Sequence, residues 1–259
     1  MKLAVLLENT AHRADLVTEH GLSLYLETGA HRILFDAGQS DAFARNAAAM
    51  GIDLAAVDLA VLSHGHYDHG GGLPYFLQQN DHAPVYLHPR CFGSYYNGKA
   101  RYIGLDAALK NSPRLRFVEG CFALDEGLTL FDCNSYMPVN NLNPYGLTKL
   151  ENGQLQPDDF LHEQYLLVEE NGKRILISGC SHKGILNLAE WFRPDVLIGG
   201  FHFKTETDPE VLWDAARQLL QQPTVYYTGH CTGDAAYGIM KEQMGDRLHS
   251  IGTGQVLTF

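Results

Sequence analysis

Short apolar runs alternate with amphipathic segments along most of the chain. Brief apolar runs bounded by Gly, Pro or Asn are typical of buried strands, and apolar positions three and four apart are typical of helices. The pattern predicts strands over 3–7, 22–27, 32–35, 59–62, 85–87, 115–117, 128–131, 165–169, 174–177, 196–198, 224–227 and 256–258. It predicts helices over 40–50, 72–79, 184–192, 209–221 and 235–244.

The connections between these elements are of two kinds, which predicts a mixed α/β fold rather than a purely parallel sheet. Asn171-Gly172 between two strands indicates a hairpin, whereas other strands lead into helices. Asp208 before Pro209 is a helix N-cap pattern. Residues 134–149 lack periodicity and predict a long loop, either a lid or a plain surface excursion.

Length and composition indicate an enzyme of ordinary globular type, in one domain or two fused halves. The 259 residues carry a formal net charge of −11 without a Lys/Arg run, so a nucleic-acid partner is disfavoured. A small anionic substrate is still allowed, because bound divalent cations reverse the local charge. No apolar stretch suits a signal peptide or a membrane span, and the five widely spaced cysteines favour a reduced, cytoplasmic protein.

Several predicted strands run into small residues followed by a histidine or an aspartate. After strand 59–62 the chain reads Ser-His-Gly-His-Tyr-Asp-His, an unusual density of ligand side chains. Because the carboxyl ends of strands form the ligand-binding edge of an α/β sheet, we expect one rim to collect these residues. They are Asp36, His64, His66, Asp68, His69, His182, His202 and His230. We expect His12, His31, His82, His88 and His249 at the surface and assign no role to His20.

Imidazole and carboxylate groups in this number are the ligands of a dinuclear site for zinc, iron or manganese. In a tight glycine-containing loop, His64 and His66 can reach one ion while Asp68 and His69 turn toward a second. Two ions about 3.5–4 Å apart share a water whose pKa falls toward about 7. We predict one or two divalent metals per chain, with zinc favoured, and Asp36 orienting a ligand histidine.

The motif His64-x-His66-x-Asp68-His69, preceded by Phe35-Asp36-x-Gly38, resembles the metallo-β-lactamase superfamily over nearly the whole chain. Further segments resemble more narrowly the 7,8-dihydropterin-6-yl-methyl-4-(β-D-ribofuranosyl)aminobenzene 5′-phosphate synthase-like branch; they include residues 19–23, 178–182, 199–202 and 230–233. The resemblance implies an αββα sandwich, a single domain of two similar halves over roughly 1–120 and 121–259. It also implies that His64 and His66 bind the first metal, Asp68 and His69 the second, and that His230 is the ligand of the last motif.

The middle of the motif set departs from that family. Many members have an earlier histidine and then a bridging aspartate in a Gly-Asp pair, where this chain has Gly179-Cys180. Cys180 as a thiolate ligand and His182 as an imidazole ligand are both open, with His182 favoured. Asp159 and His162 fall near the earlier histidine position, but we assign neither a role.

These residues predict metal-assisted hydrolysis of a small-molecule ester, amide or phosphate by a metal-bound hydroxide. Asp68 and His202 are the predicted catalytic residues. Tyr136, Asn140, Asn141, Tyr145 and Lys149 are predicted to contact the substrate. The resemblance suggests a phosphorylated pterin- or nucleotide-like compound. The alternatives are a di-iron, oxygen-using enzyme on the same scaffold and a non-catalytic sensor that binds a ligand.

Overall fold

The computed structural model describes residues 1–259, and its chain divides into two compact units. The first unit consists of Met1–Glu119, Gly146–Gln164 and Gly252–Phe259. The second unit consists of Gly120–Tyr145 and Tyr165–Ile251. Strands and helices are numbered below in chain order, and no sheet includes strands from both units.

A mixed seven-stranded sheet forms the centre of the first unit. Its order is β18 (Val256–Thr258), β1 (Lys2–Leu7), β2 (Ser23–Glu27), β3 (Arg32–Phe35), β4 (Leu59–Val61), β5 (Val85–Leu87) and β8 (Leu115–Phe117). The pairs up to β2/β3 are antiparallel, and those from β3/β4 onward are parallel. Its helices are α1 (Ala42–Ala49), α2 (Tyr67–Gly70) and α3 (Leu73–Gln79). A second, antiparallel sheet contains β12 (Gln154–Pro157), β11 (Leu147–Glu151), β6 (Ser94–Asn97) and β7 (Arg101–Tyr102).

The second unit has a seven-stranded sheet of the same design. Its order is β9 (Cys121–Asp125), β10 (Leu128–Phe131), β13 (Tyr165–Glu170), β14 (Lys173–Ile177), β15 (Val196–Ile198), β16 (Val225–Thr228) and β17 (Leu248–Ser250). The pairs up to β13/β14 are antiparallel, and those from β14/β15 onward are parallel. Its helices are α4 (Ile185–Phe192), α5 (Pro209–Leu219) and α6 (Asp234–Met244).

Each unit has its own apolar core. In the first unit, Phe43 of α1 and Phe76 of α3 are fully buried against strand residues such as Val85. In the second unit, α4, α5 and α6 bury residues such as Leu188 and Met240. Full burial of one large apolar side chain contributes roughly 1.5–3 kcal/mol, so these faces hold the helices on the sheets and fix the strand ends.

The predicted elements agree with the structure to within about two residues at most ends. The hairpin at Asn171-Gly172 joins β13 to β14, and the Asp208 side chain accepts from the Glu210 N–H at 3.0 Å as the predicted cap. Strands β6, β7, β9, β11, β12 and β17 and the short helix α2 were not predicted. The pattern missed most of these strands because they are half exposed and lack clear apolar alternation.

Two further predictions are wrong in detail. The loop predicted over 134–149 ends earlier, because residues from Leu147 onward pair with β6 and β12. His88 is fully buried rather than at the surface, because it caps the turn after β5 and its Nδ1 accepts from the Arg90 N–H at 3.2 Å. None of the five cysteines forms a disulfide. No helix of the protein has the length and apolar content needed to cross a membrane.

Candidate metal centre

The histidine-rich segment follows β4 at the carboxyl edge of the first unit's parallel strands. The Leu62 N–H still donates to the Tyr86 carbonyl at 2.9 Å, so the chain leaves the sheet in a fixed direction. His66 is extended and precedes α2, and its carbonyl accepts from the His69 N–H at 3.2 Å. This single helical turn brings His69 back beside His64.

Three imidazoles of this segment form a buried cluster. The ring centroid of His64 lies 4.5 Å from that of His66 and 4.2 Å from that of His69. All three side chains are at most 4% exposed. Oδ2 of Asp68 lies 3.3 Å from Nε2 of the partly exposed His20. The segment therefore gathers three imidazoles and a carboxylate in the first unit.

Asp36, at the end of β3, fixes the segment through three hydrogen bonds. Its Oδ1 accepts from the Ser63 N–H at 2.7 Å, and its Oδ2 accepts from the Ser63 hydroxyl at 2.7 Å. Oδ2 also lies 2.7 Å from Nδ1 of His69. Because β3 and β4 are parallel neighbours, their carboxyl ends bring these groups together. Asp36 thus fixes the orientation of the His69 ring through Nδ1, and the role of His69 as a metal ligand stays a prediction.

The pKa values of two histidines in the cluster, His66 and His69, are shifted in opposite directions. Burial lowers the pKa of His66 to about 3, with nearby His162 adding to the effect, so the imidazole is neutral at pH 7. Burial also acts to lower the pKa of His69, but the charge and hydrogen bond of Asp36 outweigh it and raise that pKa above its ordinary value. Neutral His66 has a lone pair ready for a metal, whereas metal binding at His69 must displace a more tightly held proton.

The sequence reasoning gave no role to a second acid–histidine pair of the first unit. His162 lies beside the cluster, with its ring centroid 5.2 Å from that of His66. Its Nε2 lies 3.2 Å from Oδ2 of Asp158, and its Nδ1 accepts from the Gly65 N–H at 2.9 Å. The signal that could have found the pair is the four-residue spacing of an acid and a histidine within an otherwise unassigned segment.

Gly65, between the first two ligand candidates, is closely packed against the backbone of Cys91. A Cβ built on Gly65 would lie 2.2 Å from the Cys91 carbonyl oxygen and 2.8 Å from its carbonyl carbon. Backbone atoms cannot rotate away as a flexible side chain does, so only glycine fits at this position.

Gly65→Ala is expected to lower the free energy of unfolding by about 1–3 kcal/mol, because the loop must move away from Cys91. Chemical denaturation of the metal-free protein measures this change. Gly238→Ala is the control, because a Cβ there meets nothing within 4 Å and Gly238 has no positive φ. A Gly65→Ala protein at least as stable as the control would contradict the packing argument.

In the second unit, the parallel strands β14, β15 and β16 likewise lead into candidate residues. His182 follows β14 and His202 follows β15, and their ring centroids are 4.3 Å apart. Both line a cavity of about 580 Å³. Tyr145 lines it as well, with its ring 5.3 Å from that of His202. The cavity thus joins two predicted site histidines with an aromatic wall.

Of the five residues predicted to contact substrate, Asn140, Asn141 and Tyr145 line this cavity. The other two do not. Tyr136 packs edge-on against Trp191, with ring centroids 5.5 Å apart. Lys149 is a strand residue of the first unit and forms ion pairs at 2.6 Å with Asp159 and 3.2 Å with Glu151.

A cluster of two cysteines and a histidine follows the ends of strands β14 and β16. The ligand atoms of Cys180, His230 and Cys231 lie within 4.8 Å of one another, and all three residues are buried. Sγ of Cys231 donates to the Cys180 carbonyl at 3.6 Å. The choice between Cys180 and His182 as the ligand of the middle motif therefore stays open, and Cys231 is a neighbour that the sequence reasoning missed.

Three candidate residues, and Ser181 beside His182, have a left-handed backbone. The φ angles are 58° at Asp36, 55° at Ser181, 56° at His202 and 50° at His230. Such conformations are uncommon outside glycine, and their strain is concentrated at functional sites in many proteins. Each of the four residues comes within four positions of the end of a strand, where the chain turns out of the sheet.

Comparisons with known proteins identify the family of the chain. The model of the metallo-β-lactamase superfamily matches residues 17–138. An uncharacterized protein of Methanocaldococcus jannaschii is 32% identical over 244 residues, which cover 89% of this chain and 90% of that protein. The chain belongs to the metallo-β-lactamase superfamily.

Two further similarities refine the position within the metallo-β-lactamase superfamily. The 7,8-dihydropterin-6-methyl-4-(β-D-ribofuranosyl)-aminobenzene-5′-phosphate synthase of M. jannaschii is 26% identical over 289 residues, covering 100% of this chain and 97% of that protein. The crystal structure of a metal-dependent hydrolase of the β-lactamase superfamily is 28% identical, with a TM-score of 0.83, and the match covers 100% of this chain and 99% of that one. The predicted family, branch resemblance and mixed α/β fold class are confirmed.

The superfamily is metal-dependent, and the residues of the first unit fit a divalent transition metal. His66 is neutral through burial, His69 is oriented through Nδ1 by Asp36, and His64 lies between them. Imidazole nitrogens with a nearby carboxylate are the donors that zinc, iron and manganese share. Membership of His182, His230 and Cys180 in the same ligand set stays a prediction.

Proposed function

We propose that this protein is a metal-dependent hydrolase that acts on a small molecule with an ester, amide or phosphate bond. The observation that carries the proposal is the buried cluster of His64, His66 and His69. Asp68 belongs to the same segment, and the Asp36 carboxylate holds the His69 ring through Nδ1. A merely structural role would not need three imidazoles in contact, because burial disfavours the charged form of each ring. A shared cation makes the same cluster favourable.

A bound divalent metal supplies a water of lowered pKa and an electrophile for the attacked group. The chain supplies the proton handling and the alignment. Asp68 has its Oδ2 3.3 Å from Nε2 of His20, so this pair can take a proton from the attacking water and pass it toward solvent. His202, at the wall of the second unit's cavity, is proposed as a hydrogen-bond donor to a substrate oxygen bound in that cavity. We further propose zinc as the resident ion, at one or two per chain.

The cavity of the second unit supports a small-molecule substrate. Its volume of about 580 Å³ falls within the range of small-molecule sites. Tyr145, Phe201 and Phe203 offer aromatic surface, and Asn140 and Asn141 offer both donors and acceptors. The name of the M. jannaschii synthase extends the proposal to a phosphorylated, pterin-like compound. That name also denotes a synthase, so hydrolysis as the reaction is our proposal and needs its own test.

Metal analysis and a turnover screen on the same sample test the proposal. We expect one to two transition-metal ions per chain after purification, and hydrolysis of at least one class among esters, amides, phosphomonoesters and phosphodiesters. Chelation should remove the activity and zinc should restore it. Absence of bound metal from metal-replete preparations would overturn the proposal. Bound iron with oxygen consumption would replace it with the oxygen-using alternative, and tight ligand binding without turnover would replace it with the sensor.

The buried side chain of Asn187 holds the start of the loop segment whose Asn140, Asn141 and Tyr145 line the cavity. Oδ1 of Asn187 accepts from the N–H groups of Val139 at 2.9 Å and Asn140 at 2.8 Å. Its Nδ2 donates to the Asn140 carbonyl at 3.0 Å and to the Lys183 carbonyl at 2.7 Å. This pattern favours a fixed wall over a mobile lid for this part of the loop.

Asn187→Ala is expected to raise KM for the true substrate about tenfold, with a smaller change in kcat, because the loop loses its anchor while the metal cluster is untouched. Steady-state kinetics on the substrate found by the screen measure the split. Asn111→Ala, in the first unit and outside the lining of the cavity, is the matched control. An unchanged KM would remove the loop from substrate binding.

A further inference from the structure

A segment of the first unit, residues 158–164, runs beside the loop that carries His64 and His66. The Gln164 N–H donates to the Ser63 carbonyl at 2.7 Å. Its side-chain Nε2 donates to the Leu62 carbonyl at 2.9 Å. Nδ1 of His162 then accepts from the Gly65 N–H at 2.9 Å. The contacts continue step by step along the loop, so this segment braces the ligand-bearing backbone.

The hydrogen bonds of His162 define its tautomer. A nitrogen that accepts from a backbone N–H carries no proton, so the proton of the neutral ring is on Nε2. Nε2 lies 3.2 Å from Oδ2 of Asp158, which accepts that proton's hydrogen bond. Both ring nitrogens are therefore already used, one by the loop and one by the carboxylate.

The surroundings of His162 hold the ring in this orientation. The ring of Tyr95 lies 4.0 Å away, centroid to centroid, with a tilt of 34°. His162 and Asp158 are 1% and 2% exposed. Oδ1 of Asp158 accepts from the Phe160 N–H at 2.9 Å, which ties the acid to its own turn. A ring that is packed and bonded on both nitrogens has little freedom to turn toward another partner.

We propose that His162 is a positioning residue for the metal site: it fixes the peptide between His64 and His66 by accepting the Gly65 N–H, and Asp158 holds its proton on Nε2. The inference rests on the proposed function, because the loop is positioned for metal binding. Without His162 the Gly65 N–H is a buried donor lacking an acceptor, and the peptide is released from the orientation that sets both flanking imidazoles.

Direct metal ligation by His162 is the competing interpretation. The ligand atoms of His66, Asp158 and His162 lie within 4.8 Å of one another, as those of a metal site would. Ligation would require His162 to give up either the Gly65 N–H or the Asp158 carboxylate. The two roles make opposite demands on a replacement side chain, and this allows them to be separated.

Three variants test the inference. His162→Asn places an amide oxygen near the position of Nδ1 and so keeps an acceptor for Gly65, whereas His162→Leu removes it. Asp158→Ala keeps the ring but removes the acceptor that fixes its tautomer. His82→Leu, at an exposed histidine of the same unit, is the control. The readouts are the metal dissociation constant from competition with a chromophoric chelator and the visible absorption spectrum of the Co²⁺-loaded protein.

We expect His162→Leu to raise the dissociation constant about 10- to 100-fold and to change the Co²⁺ spectrum. His162→Asn should stay within about threefold of the wild type, and Asp158→Ala should fall between the two. Equal losses in His162→Asn and His162→Leu would overturn the inference in favour of ligation, and wild-type affinity in His162→Leu would overturn it outright. If His162→Leu does not fold, wild-type affinity in Asp158→Ala overturns it instead. A wild-type protein that binds no metal removes the proposed function itself, which is a distinct result.

Discussion

His66→Ala is expected to purify without tightly bound metal and to lose hydrolytic activity. The side chain is buried, its pKa of about 3 keeps it neutral at pH 7, and its ring lies 4.5 Å from that of His64. Alanine removes one of the three buried imidazoles of the proposed metal site. Elemental analysis after purification in zinc-containing medium measures the loss directly.

Thermal unfolding with and without zinc gives an independent check of His66→Ala. A ligand present at 1,000 times its dissociation constant stabilises the folded state by about 4 kcal/mol. We therefore expect zinc to stabilise the wild type strongly and the variant little, while the metal-free forms unfold at similar temperatures. His82→Ala, on an exposed histidine, should behave as the wild type. Equal zinc stabilisation in His66→Ala and His82→Ala would exclude His66 as a ligand.

Asp36→Ala is expected to weaken metal binding about 10- to 100-fold and to lower the free energy of unfolding by about 3 kcal/mol. The carboxylate is 1% exposed and accepts three hydrogen bonds, two from Ser63 and one from His69. Alanine leaves those donors buried and also places a less tolerant residue at a φ of 58°. Chelator competition and chemical denaturation measure the two effects separately.

Asp36→Asn separates the backbone contribution from the charge. Asparagine tolerates the left-handed conformation and keeps one acceptor oxygen for Ser63, but its amide nitrogen opposes the Nδ1–H of His69. We expect a smaller loss of stability than in Asp36→Ala and a comparable loss of metal affinity. If the asparagine variant bound metal as tightly as the wild type, orientation of His69 by Asp36 would not matter to the site.

The sequence predicted much of the fold because its strands are short apolar runs with clear ends. Strands such as β3, β5 and β15 have the predicted bounds. The antiparallel sheet of β6, β7, β11 and β12 could not be found in the same way. Its residues are largely polar and half exposed, so their strand geometry comes from pairing with each other rather than from a buried face.

The residues of the candidate site also differ in how far the sequence could predict them. The density of ligands over 64–69 and the parallel order of β3 and β4 together made the first-unit cluster predictable, including Asp36. His162 was not, since its signal in the sequence is limited to an acid four residues earlier and it contacts a backbone N–H 97 positions away. Lys149 illustrates a different limit: its place in an apparent loop suggested substrate contact, whereas the structure puts it in a strand and pairs its amine with Asp159. Its contact with substrate stays a prediction.

The brace of the ligand loop has a consequence for how the protein is made. His162 and Gly65 are 97 positions apart, and Gln164 and Leu62 are 102 apart. At about 5–20 residues per second, a ribosome completes residue 65 roughly 5–20 s before residue 162 is added. During this interval the nascent chain carries its first histidines on an unbraced loop, with water as the partner of the Gly65 N–H. Metal capture is therefore expected late in synthesis, after the chain has traversed residues 120–145 and returned to the unit in which it began.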